Sequence, residues 1–138
     1  MTTIFDKLQI KEQKNIIVLN SPPEFEPTLK AEMNHIPVKR QVEPKEKYDF
    51  ALIFVQKKAE IENYVSFIQK NLIIDGKLWF SYPKMKAKKY HSDINRDSGW
   101  DMIMEQDFLP VRQIAIDSDW SALRFRQSHY IKNLIREL

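Results

Sequence analysis

Read as apolar and polar positions, the chain alternates short unbroken apolar runs with stretches whose apolar residues return every three or four places. Ile16, Ile17, Val18 and Leu19 follow one another without a polar break. A continuous, β-branched run of this length predicts a strand over residues 15–20 that is buried on both faces, as in a parallel sheet. Ahead of it, residues 4–8 predict one turn of helix and residues 11–14 a polar turn. Ser21-Pro22-Pro23 stops the strand, and proline is tolerated in a first helical turn, so a helix starts here. Phe25, Leu29 and Met33 then recur at a spacing of four and carry an apolar stripe to about residue 34. Residues 36–42 alternate weakly. They predict a second strand near a sheet edge, because Pro37 cannot donate to a ladder.

Residues 48–55 form the strongest strand pattern in the chain. Ile61, Val65, Ile68 and Leu72 mark one face of a helix over residues 58–72, which Asp75-Gly76 ends as a turn. Residues 77–82 predict another strand, closed by Pro83. A basic loop follows over residues 84–91. Ser92 or Asp93 predicts the cap of a helix running to about residue 106, with Ile94, Trp100, Ile103 and Met104 on its buried side. Residues 111–116 and 120–126 predict a hairpin around Asp117-Ser118-Asp119. Tyr130, Ile131, Leu134, Ile135 and Leu138 predict a short C-terminal helix over residues 128–138. Strand and helix thus alternate three times before two consecutive strands. This predicts an α/β three-layer sandwich whose mostly parallel sheet has helices on both faces and an antiparallel C-terminal strand.

Composition narrows the chemistry. The 138 residues fit a single domain over residues 1–138, with 43% hydrophobic and 30% charged residues. There is no cysteine, which excludes disulfides, thiolate zinc sites and cysteine nucleophiles. Two glycines in all leave no glycine-rich phosphate loop, and no serine sits in a nucleophile elbow. His35, His91 and His129 are far apart. His91 and Asp93 alone make a weak pair of ligands, so no metal is expected. The apolar runs are strand-sized, and the first fifteen residues lack a signal-peptide core. The expectation is a cytoplasmic protein without a membrane partner. A net charge of +3 is only mildly basic, so a dedicated nucleic-acid surface is not favoured.

Several segments carry a resemblance. They are Ile16-Ile17-Val18-Leu19-Asn20-Ser21-Pro22, Leu78-Trp79-Phe80-Ser81-Tyr82-Pro83-Lys84, Ser92-Asp93-Ile94-Asn95-Arg96-Asp97 and Asp117-Ser118-Asp119-Trp120-Ser121-Ala122-Leu123-Arg124-Phe125. Together they resemble a bacterial family of unknown function with a shortened, Rossmann-like fold of the class I S-adenosylmethionine (SAM)-dependent methyltransferase type. The terminal strand order also looks like the C-terminal half of those methyltransferases. That wider class, by the resemblance, needs a glycine-rich turn after its first strand and an acidic residue at the end of its second. This chain has Asn20-Ser21-Pro22-Pro23 and Lys39-Arg40-Gln41-Val42 there, and a strand–helix unit is missing between residues 42 and 48. These departures from the class favour a non-catalytic domain over an enzyme, with no cofactor expected and SAM disfavoured, and the expected role is to bind a small anionic ligand or a partner. The alternatives are a SAM-dependent methyltransferase with an atypical cofactor site and a nucleic-acid accessory protein using the Lys84–Lys89 loop.

Open α/β sheets bind ligands beyond the carboxyl ends of their strands. That rule selects Asn20, Ser21, Gln56, Lys57, Ser81, Tyr82 and Lys84, with Arg96 added from the following helix as a clamp for a carboxylate or phosphate. Lys86, Lys88 and Lys89, flanked by Tyr82 and Tyr90, form a candidate anion loop, read otherwise as a solvated loop. Asp93, Arg96 and Asp97 are expected to form a small ion-pair network at a helix start. Trp79, Trp100 and Trp120 are expected in the core. The C-terminal stripe fits docking on its own domain or a homodimer contact, and both stay open.

Overall fold

The computed structural model describes residues 2–131. Six strands form one sheet in the order β2-β1-β3-β4-β6-β5. They are β1 (Ile16–Leu19), β2 (Val38–Lys39), β3 (Tyr48–Phe54), β4 (Leu72–Pro83), β5 (Phe108–Ala115) and β6 (Trp120–Gln127). The first four are parallel, and β6 and β5 return antiparallel at the far edge. The helices are α1 (Ile4–Lys7), α2 (Glu26–Glu32), α3 (Lys58–Ile61), α4 (Val65–Lys70) and α5 (Asp101–Met104).

Strand β1 is buried along its whole length, as its unbroken apolar run requires, and β3 is buried at every position but Asp49. Alternate residues feed opposite faces. Ile16, Val18, Phe50, Leu52, Phe54 and Trp79 pack beneath Phe5 of α1 and Leu8 just past it, and beneath Phe25, Leu29 and Met33 around α2. Ile17, Leu19, Ala51, Ile53, Leu78 and Phe80 pack beneath Ile61, Phe67 and Ile68, and farther along beneath Ile94, Trp100 and Ile103. The result is the expected three-layer sandwich.

Strand β1 connects to β2 on one side, and the chain then crosses back to β3 on the other. The switch point of the sheet thus lies between the carboxyl ends of β1 and β3. The short linker before β3 is held by Asn71, which is 6% exposed. Its amide donates to the carbonyls of Glu43, Pro44 and Glu46, and its own carbonyl accepts from the Tyr48 N–H.

Several expectations need correction. The helix expected over residues 93–106 is absent over its first half. Ser92 Oγ accepts the Ile94 N–H at 3.0 Å, Asn95 Oδ1 accepts the Asp97 N–H at 2.8 Å, and Gly99 takes φ +102°. Such side-chain bonds offer the backbone a turn in place of a helix. Only α5 forms, and Met104 is 40% exposed rather than buried. The helix expected over residues 58–72 is α3, a 3-10 turn over Glu62–Tyr64, and α4. It ends before Asn71, and Leu72 already belongs to β4. Asp75-Gly76 is not a terminating turn but an irregularity inside β4, where the register jumps from Tyr48↔Leu72 to Phe50↔Lys77. Asp75 takes φ +57°, and a Cβ on Gly76 would lie 2.9 Å from Leu72 Cδ1. The second strand shrinks to Val38–Lys39, at the edge as expected. The C-terminal helix is described only as a 3-10 turn over Ser128–Tyr130, and its remainder lies outside the described residues.

The layer over β4 and β6 depends on aromatic packing. Trp100 meets Phe125 at 4.9 Å, Phe80 at 5.6 Å and Tyr82 at 5.7 Å between ring centroids. Gly99 permits the turn that delivers Trp100 there. Gly99→Ala forces a side chain to φ +102° against Ile94, 3.3 Å away, and should destabilise by about 1–2 kcal/mol. Urea unfolding with an unchanged slope and a lower midpoint is the expected readout.

Candidate functional site

The carboxyl edge of the sheet is built from three strand ends. Asn20 leaves β1 with φ +61°, a left-handed conformation that asparagine tolerates. Its amide donates to the Tyr64 hydroxyl and, at 3.4 Å, to the Phe54 carbonyl, so it ties β1 to β3 and to the 3-10 turn over Glu62–Tyr64. Gln56 and Lys57 offer their N–H groups to Glu60 Oε1 at 3.2 and 3.0 Å, which starts α3. Asp93 Oδ1 accepts the Lys58 N–H at 2.7 Å.

Next to Asn20 lies an ion-pair cluster that sequence reasoning did not assemble. Arg40, just past β2, grips Glu26 with two parallel bonds of 2.8 and 2.7 Å. It also donates to Ser21 Oγ, and Ser21 in turn donates to Glu26. The Arg40 Nε donates to the Val18 carbonyl at 3.4 Å, so the guanidinium lies across the end of β1. The Arg40 bonds, then Ser21, hold the Glu26 carboxyl below its ordinary value of 4.5. The run Lys39-Arg40 showed that a cation sits where the resemblance asks for an acid. What it lacked was the partner, fourteen residues away on another element.

The remaining selected residues separate. Ser81 is fully buried, and its hydroxyl donates to the Ser121 carbonyl at 3.0 Å, so it serves the core and does not face the edge. Tyr82 is 3% exposed, accepts from Gln113 Nε2 at 2.9 Å, and burial pushes its phenol up. Lys84 donates its ammonium to the Asp117 carbonyl at 2.7 Å. Arg96 is exposed beside a recess it shares with Arg112 and Gln113. The expected Asp93–Arg96–Asp97 network at a helix start needs correction. The helix is not formed, Asp93 caps α3 instead, and Asp97 joins the Asn95 turn.

The basic loop is anchored at both ends. Its Tyr90 hydroxyl donates to Glu24, and the ring packs tilted against Trp120, 4.8 Å between centroids. Lys89 lies 3.8 Å from the same carboxylate. Burial and then the Glu24 bond push the Tyr90 phenol up to about 12, and that bond is the main cause of a lowered Glu24 carboxyl. Lys86 and Lys88 remain exposed. Trp79, Trp100 and Trp120 are at most 2% exposed, which places all three in the core. Among the described residues no three His, Asp or Glu side chains come together as a metal site, and no helix is long and apolar enough to cross a membrane.

No family model matches the sequence, and no curated protein matches it. Solved structures do. A protein from Sulfolobus solfataricus described as a type 11 methyltransferase aligns at TM-score 0.51 and 10% identity, over 90% of this chain and 89% of that one. A ribosomal protein L11 methylase from Lactobacillus delbrueckii subsp. bulgaricus aligns at TM-score 0.50 and 14% identity, over 84% and 59%. The fibrillarin pre-rRNA processing protein of Methanococcus jannaschii aligns at TM-score 0.49 and 15% identity, over 81% and 56%. This chain therefore spans less than two thirds of the length of the latter two. The class follows: a six-stranded, Rossmann-like α/β domain with the fold of class I methyltransferases and their antiparallel C-terminal strand pair. At these identities the likeness is one of fold.

The Arg40–Glu26 pair generates a pH dependence. A carboxyl lowered in the folded state stabilises above its unfolded value, and that contribution disappears as the pH falls through the folded one. Both side chains are more than 40% exposed, so the pair is worth at most about 1 kcal/mol at neutral pH. Arg40→Gln should lose that amount at pH 7 and match the wild type well below pH 4.5. Urea midpoints between pH 7 and 3 check this; a gap independent of pH would exclude the ion pair as its source.

Proposed function

We propose that this chain is a non-catalytic, methyltransferase-like binding domain whose nucleoside crevice is closed from within. The carrying observation is the bidentate Arg40–Glu26 pair laid across the end of β1 and bonded to Ser21 and Val18. By the resemblance, a cofactor ribose would need an acid at the end of the second strand. Arg40 stands there, and its charge is already engaged by a carboxylate. By the same resemblance, the cofactor lies against backbone in the turn after the first strand. Pro22 and Pro23 offer no N–H in that turn, and Asn20 is committed to Phe54 and Tyr64.

What the edge retains is positive charge. Lys57, Lys86 and Lys88 are exposed around the carboxyl ends of β3 and β4, where a doubly wound sheet presents its ligand surface. A small anionic ligand, or an acidic segment of a partner, is the chemistry these cations fit.

Two measurements test the reading. Calorimetry with SAM and with its demethylated product should show no binding; a Kd below about 0.1 mM, near −5.5 kcal/mol, would overturn it. Opening the crevice with Arg40→Ala and Glu26→Ala together should not restore cofactor affinity, because the proline pair remains.

A further inference from the structure

The opposite end of the sheet carries a second cluster of cations with a different origin. Strand β6 alternates strictly. Leu123 and Phe125 enter one core layer, while Trp120 and Ala122 enter the other. By the period of two, Arg124 and Arg126 continue the second face. There the apolar layer beneath α1 gives out. Arg112 on β5 is the direct cross-strand partner of Arg124. Like charges directly opposite each other in an antiparallel pair are destabilising, so this register carries a repulsion that an ordinary surface avoids.

The cluster is poorly neutralised. Asp75 engages Arg126 with two bonds of 2.7 Å. Arg124 Nη1 donates to the neutral Gln9 side chain at 2.7 Å, and its Nε is buried without a partner among the described residues. The Lys77 ammonium donates to the Gln9 carbonyl. Burial first, and then neighbouring guanidinium groups, lower the proton affinity of both Arg124 and Lys77. A buried donor without an acceptor is uncommon, and it points to a missing partner. Arg124 and Arg126, with Arg112, face a recess of about 580 Å³ whose lining also includes Gln9, Val111, Tyr130 and Ile131. That volume suits a small molecule.

We propose that this recess is a phosphate site, taking a phosphoryl group between Arg112 and Arg124 and the flat or apolar part of the same ligand against Tyr130 and Ile131. Two guanidinium forks match the oxygens of a phosphoryl group, and Arg is the side chain that binds them bidentately. A bound dianion converts the Arg112–Arg124 repulsion into a shared attraction. It also supplies acceptors to the Arg112 and Arg124 guanidinium groups that line the recess. The phosphoryl group belongs to a free phosphorylated metabolite or to a nucleic-acid backbone, and the two sources are separable by experiment.

The experiment uses the full chain and two probes, inorganic pyrophosphate and a short single-stranded RNA, with calorimetry and thermal unfolding as readouts. Wild-type protein should bind pyrophosphate and unfold at a rising midpoint as pyrophosphate is added. Arg112→Gln removes one charge-assisted partner and should weaken pyrophosphate binding by about tenfold or more. Arg112 is exposed, so this variant keeps the fold. In chloride buffer it should unfold no lower than the wild type, because the opposed like charge is gone. Lys86→Glu with Lys88→Glu, at the other end of the sheet, should leave pyrophosphate affinity unchanged. RNA binding that falls steeply with salt and is lost in Arg112→Gln supports the recess and assigns it to a backbone phosphate. Pyrophosphate binding without RNA binding supports it for a metabolite. Failure of the wild type to bind either probe at millimolar concentration, or binding equally tight in Arg112→Gln and Arg124→Gln, would overturn it.

Discussion

The structure depends on burying its central strands on both faces with very little chain. Strands β1 and β3 and the second half of β4 are enclosed on both faces. Each face then needs its own cover, and among the described residues fewer than thirty are α-helical. The chain meets this demand with aromatic side chains in place of long helices. Phe25, Phe54, Trp120 and Tyr90 run as a connected row on one face, and Phe80, Tyr82, Trp100 and Phe125 on the other. Large rings bury the most area per ordered residue. Segments with little regular structure, such as residues 94–100, can therefore act as cover.

The same shortage shapes the two ends of the sheet. At the carboxyl edge Arg40 and Glu26 pair across the end of β1, where no helix covers them. At the far edge α1 is too short to reach across β6 and β5, and β5 is largely exposed. The face there changes from apolar to cationic within one strand, between Ala122 and Arg124. An apolar continuation without a helix above it would leave a sticky patch. Charge solves that problem, and the direct opposition of Arg112 and Arg124 goes beyond what solubility asks.

Local chemistry also explains where sequence patterns misled. Ile94, Trp100 and Ile103 are all buried, yet their spacing arises from turns and not from a continuous helix. Ser92 and Asn95 capture nearby N–H groups before a helix can propagate, and Gly99 reverses the chain. Asp75-Gly76 looks like the end of a helix. Its role is set by Arg126, fifty-one residues away, whose fork holds Asp75 inside a strand.

Residue order alone specifies the alternation of strands and helices, the double burial of β1 and β3, the edge placement of the second strand, the terminal hairpin and the core positions of the three tryptophans. These follow from periodicity and side-chain size, which act over a few residues. Which polar groups meet is set only once the folded sheet brings distant residues together. Arg40 with Glu26, Arg124 with Gln9 and Arg126 with Asp75 join residues 14, 115 and 51 positions apart. An arginine in a strand pattern marks a polar position and nothing more. Whether it is neutralised, left facing its own kind or laid across a crevice depends on strand order and register, and those are fixed by the packing of the whole sheet.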